Sequence, residues 1–94
     1  MSQPTDEREA KRRILEVLDH GQVIYSTHAE KEMAADGIVA ADVERVLRGG
    51  VVEPPEPVGS VLRFRVRASK VHVVVEFDED EDSLVIVVTA WRKK

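Results

Sequence analysis

A chain of 94 residues with 14 Lys and Arg, 18 Asp and Glu and no cysteine describes one small acidic domain, without disulfides or thiolate metal sites. Its formal charge of −4 argues against a protein that coats nucleic acid indiscriminately, and leaves room for a local basic patch because the charges are unevenly placed. The first residues form no apolar signal region and no apolar run is long enough to cross a bilayer, so a soluble, cytoplasmic protein without membrane contact is expected.

Residues 1–5 read as a flexible N-terminus and residues 6–94 as a single domain. From about Asp6 to His20, Ala10, Ile14, Val17 and Leu18 follow the i, i+4, i+7, i+8 spacing of an amphipathic helix, and Gly21 stops it. Val23-Ile24-Tyr25 reads as a short strand. Behind it, Ser26 to Ile38 carries helix punctuation: Thr27 with Glu30 as a capping box, and Gly37 as the left-handed stop. This spacing puts His28 at the first helical position, where an imidazole can serve in proton transfer. A third helix runs from Ala40 to Arg48, with Val43, Val46 and Leu47 inward. Val51-Val52 suggests a brief edge strand, and Pro54-Pro55-Glu56-Pro57 a stiff connector.

The last third reads as a meander of strands. Leu62, Phe64 and Val66 alternate with Arg63, Arg65 and Arg67, and Val71, Val73, Val75 and Phe77 form a second apolar row. Leu84 to Trp91 is apolar on both faces, as in a central strand. With Ser69-Lys70 as a two-residue turn, Arg67 opposes His72, Arg65 opposes Val74 and Arg63 opposes Glu76. With Phe77 opposite Leu84, His72 lies beside Thr89 and Lys70 beside Trp91. One face of the sheet then carries Arg63, Arg65, Arg67, His72, Thr89 and Trp91, and the helices cover the other.

Such a face suits a polyanion. Arginines hold phosphates in forked hydrogen bonds, a histidine moves the protons of RNA transesterification, and an indole stacks a base. The competing reading is a solvated strand face whose arginines prevent edge pairing. Asp78, Asp80 and Asp82 look like the start of a calcium loop but lack its glycine and distal glutamate, so the segment reads as a solvated turn. Neither a metal nor a cofactor is called for.

The order Ser-x-His-Ala-x-x-x-Met-x-x-x-Gly-Ile, Asp42-Val43-x-x-Val46-Leu47, an Arg-Phe-Arg strand and a closing Val-Ile-Val-Val-Thr-Ala-Trp strand resembles the bacterial domain-of-unknown-function 4258 family from Val23 to Arg92. Ile14-Leu15-x-x-Leu18-x-x-Gly21-x-Val23 is more distantly similar to MqsR toxins. These resemblances imply an α+β, RelE-like fold, with N-terminal helices packed on a C-terminal antiparallel sheet. They also imply a metal-independent, toxin-type endoribonuclease of a toxin–antitoxin pair, with RNA and a cognate antitoxin as partners. Carried over, His28 matches the family's signature histidine, Arg63 or Arg65 the basic residue of its middle strand and Thr89 the threonine of its last, so His28, Arg63, Arg65 and Thr89 are the catalytic candidates. On the residue reading, Arg67, Lys70, His72, Trp91 and Arg92 are the RNA-contact candidates, with His72 an alternative to His28 in proton transfer. Relatives commonly carry arginine where this chain has Glu32 and Asp36, which reverses the local potential beside His28. The alternative is a non-catalytic protein- or RNA-binding domain that has kept the fold.

Overall fold

The computed structural model describes residues 3–93. The elements are α1 (Glu7–His20), β1 (Gln22–Tyr25), α2 (Thr27–Asp36), α3 (Ala40–Gly49), β2 (Val51–Val52), β3 (Glu56–Val58), β4 (Val61–Arg67), β5 (Val71–Phe77) and β6 (Leu84–Arg92). Of the N-terminal segment, Met1 and Ser2 lie outside the described residues. Pro4 is buried, and Gln3 donates to Glu79 across the molecule.

The α+β class follows from how the apolar rows combine. Ala10, Ile14 and Val17 of α1 and Val43, Val46 and Leu47 of α3 bury against Phe64, Val66, Val73, Val75, Val85 and Val87 of the sheet. Lys11, beside that stripe on α1, spends all three ammonium donors on the end of α3 and its C-cap: the carbonyls of Leu47, Arg48 and Gly50 at 2.9, 2.8 and 3.1 Å. Burial, and then the charge of Arg48, lower its pKa, and the three carbonyls offset that cost. Gly21 lets the end of α1 press on the β5–β6 turn, since a Cβ there would meet the Ser83 carbonyl oxygen at 2.1 Å.

The sheet is mixed rather than antiparallel. Its order is β1-β6-β5-β4-β2, with β3 also paired to β4. β1 runs parallel to β6 from Gln22↔Leu84 to Tyr25↔Val87, and every element between the two serves as the long crossover that parallel pairing requires. The connector is also more regular than its prolines suggest. Glu56↔Arg63, Pro57↔Leu62 and Val58↔Val61 pair as a short hairpin, with proline tolerated because the strand lies at an edge.

Where β1 ends, α2 takes over the edge of β6. The Ser26 amide still donates to Val87 O at 3.0 Å, while its hydroxyl accepts from the Ala29 amide at 3.0 Å and donates to Val88 O at 3.0 Å. Ser26 is therefore the N-cap of α2, and Thr27, expected in that role, is the first helical residue. The reciprocal bond of a capping box is absent because the N3 residue is then Ala29, and the cap amide is committed to the sheet instead. At the other end Gly37 adopts φ 67°, and Asp36 accepts from the Arg92 amide at 2.8 Å.

Ser26→Ala removes the helix cap and leaves the Val88 carbonyl without its donor. The expected loss is about 1–3 kcal/mol in chemical denaturation, with an unchanged m-value.

Candidate functional site

The β4–β5 register is the one expected from the turn, with Arg67↔His72 and Arg65↔Val74. Arg63 meets Glu76 across the strands, its Nε donating at 2.6 Å. The β5–β6 register is different. Phe77 faces Val85 rather than Leu84, and a bulge at Val88 shifts the remainder to Val74↔Thr89 and His72↔Trp91. The two corrections cancel in parity, so Thr89 and Trp91 still share the face of His72 and the arginines. Without the bulge, strand alternation would turn Trp91 into the helix-covered layer.

On that face lies a groove of about 480 Å³. Val74 and Thr89 form its floor; Arg63, Arg65 and Trp91 line it from the sheet; Glu53, Pro54, Glu56 and Val58 close it from the connector. A stretch that reads as a linker thus supplies one wall. The Glu53 amide donates to Arg65 O at 2.9 Å, which extends the β2–β4 pairing and aims the connector across the sheet face.

The arginines come with carboxylates. Glu53 sits 3.0 Å from Arg67 Nε and 3.8 Å from Arg65 Nε, and Arg63 is held by Glu76. Glu56 has no cationic partner among the described residues. The two arginines lining the groove are matched by Glu53 and Glu56, so it is a mixed-charge surface rather than a bare cationic one.

Trp91 is half-buried and carries two neighbours. The His72 ring stacks on it at 5.3 Å between centroids and 22° between planes, and Arg65 Cζ lies 5.3 Å from the indole centroid. His72 is buried, and its Nδ1 has no hydrogen-bond partner. Desolvation lowers its pKa most, helped by Arg65, Lys93 and Arg67 and opposed by Glu53.

The remaining predicted site residues lie elsewhere. His28 is exposed at the second position of α2 and is not part of the groove lining. Arg92 turns to the C-terminus of α2, donating to Asp36 O at 3.2 Å and Gly37 O at 3.3 Å. Together with Lys70, Arg45 and Asp42 it lines a separate cavity of about 230 Å³. Arg67 pairs with Glu53 beside the groove. Glu53, Glu56 and Val74 are site residues that the periodicity reading missed. The available signal was two glutamates flanking prolines directly before an arginine strand. No cluster of His, Asp or Glu that could hold a metal occurs among the described residues, and no helix among them is long and apolar enough to cross a membrane.

Residues 25–92 match the profile described as Domain of unknown function (DUF4258). The chain belongs to the DUF4258 family. That match runs from the last residue of β1 to the end of β6 and contains every residue of the groove. No curated protein and no solved structure matches the chain.

His72 supplies a pH test. Its folded pKa lies below the ordinary value of 6.5, so the unfolded chain binds the proton first as pH falls. Stability is therefore expected to decline as pH drops below about 6.5, by at most about 1.4 kcal/mol per pH unit. His72→Phe flattens this part of the denaturation-versus-pH curve, above the range where carboxylates titrate.

Proposed function

We propose that the groove contacts single-stranded RNA and that the chain is a toxin-type, metal-independent endoribonuclease with a RelE-like fold, paired with a cognate antitoxin. The observation that carries this reading is the convergence of two guanidiniums and an indole on one concave surface above the Thr89 hydroxyl. Guanidinium forks fit phosphodiesters and stabilise charge building on phosphorus, while an indole face accepts any base.

In the reaction, the ribose 2′-oxygen attacks phosphorus and the bond to the 5′-oxygen breaks. The 2′-hydroxyl proton goes to a base, water supplies a proton to the departing 5′-oxygen, and the products carry 2′,3′-cyclic phosphate and 5′-hydroxyl ends. Arg63 and Arg65 hold the phosphate, and Thr89 donates a hydrogen bond. Glu53 and Glu56 are the carboxylates within the groove that can accept the proton, a role expected of His28 from the sequence.

A second reading, RNA or protein binding without cleavage, draws on two features. Arg63 and Arg65 already face carboxylates, and neither His28 nor His72 lines the groove.

The test is incubation with mixed-sequence RNA in EDTA, with end-group analysis and binding measured across a salt series. Cleavage to cyclic phosphate ends is expected, falling about 10²–10³-fold in Arg65→Ala or Arg63→Ala and little in His28→Ala. One phosphate held by both arginines predicts a log–log salt slope of about −0.7. Salt-dependent binding without cleavage would favour the second reading. Cleavage unchanged in both arginine variants would overturn the site.

A further inference from the structure

Arg65 stands where a base would have to stack. Its guanidinium lies over the ring of Trp91, the single tryptophan of the chain, and His72 stacks on the same indole. The two neighbours are held very differently. His72 is buried between the outer-face rows of β4 and β6, whereas the Arg65 side chain is 48 % exposed. At 3.8 Å, its contact with Glu53 is the longer of the two that this carboxylate makes, and the contact with Arg67 is 3.0 Å. Moving Arg65 therefore leaves Glu53 paired and orphans no buried charge. By contrast, the His72 ring is buried.

We propose that Arg65 is a displaceable cover on Trp91. A ribonucleotide places its base on the indole in the position of the guanidinium, and the released guanidinium turns onto that nucleotide's own phosphate. This rests on the RNA reading of the groove and narrows it, because the unit recognised becomes a base together with its phosphate. A nucleoside must evict Arg65 and offers the cation nothing in return. A nucleotide replaces the lost cation–π contact with a charge-assisted fork, the stronger of the two interactions. The ring site thus stays closed to unphosphorylated aromatic solutes and opens to phosphorylated ones.

Because Trp91 is unique, its fluorescence reports the site directly. Wild type and Arg65→Ala are titrated with adenosine and with adenosine 3′-monophosphate. The variant is expected to bind adenosine about two- to fivefold more tightly, the weight of one exposed cation–π contact. It is expected to bind the 3′-monophosphate about tenfold more weakly, through loss of the fork. Misfolding would weaken both ligands, so the opposite signs identify the cover. If wild type binds the nucleotide and the variant gains nothing for adenosine, the cover is overturned and the RNA reading stands. If wild type binds neither the nucleotide nor RNA, the RNA reading falls and the cover with it.

Discussion

The arrangement of this domain depends on one hydroxyl at the point where the chain leaves the sheet. Ser26 ends β1 with its amide, starts α2 with its oxygen and satisfies the bulge carbonyl of Val88 with its proton. An edge strand that stops halfway along its neighbour leaves unpaired backbone groups, a liability for pairing with other chains. Here α2 covers the remainder of that edge, with Ser26 serving Val88 at one end and Asp36 serving Arg92 at the other. The bulge is what makes this edge useful. It rotates Thr89 and Trp91 back to the outer face, beside the arginines of β4 and the imidazole of β5.

The groove follows from a second constraint, the stiffness of the connector after β2. Proline cannot join the interior of a sheet, so the segment pairs only at the edge of β4 and crosses the outer face as a wall. It brings carboxylates with it. Three arginines at alternate positions would repel one another on a bare strand; Glu53 between Arg65 and Arg67, and Glu76 opposite Arg63, offset that repulsion. These ion pairs are partly exposed and worth little as stability, roughly 0–1 kcal/mol each. Their value lies in geometry. Each guanidinium is held near its place by a carboxylate.

Asp36 shows how a reading based on charge alone can mislead. As an anion near His28 it suggests weakened phosphate binding. In the fold its carboxylate accepts the Arg92 amide, and its backbone carbonyl accepts from the Arg92 guanidinium. Asp36 and Arg92 therefore form a structural tie at the end of α2, and neither faces the groove. The His28 reading differs for a similar reason. Because the cap is Ser26, His28 moves one position along α2, and the helix carries it along the edge of β6 instead of over the sheet face.

The sequence by itself determined the elements and their faces. Apolar spacing of 3.6 and 2 residues marks α1, α3, β4 and β5, and the turn at Ser69-Lys70 sets the β4–β5 register, because these signals are local and repeat. Only the tertiary structure decided the parallel pairing of β1 with β6, the bulge at Val88 and the use of the connector as a wall. A parallel partner is chosen across most of the chain, and a bulge inserts one residue into an otherwise regular alternation. Neither leaves a periodic trace. The outer-face residues were legible because two register differences cancel in parity; the carboxylates beside them depend on where distant segments meet.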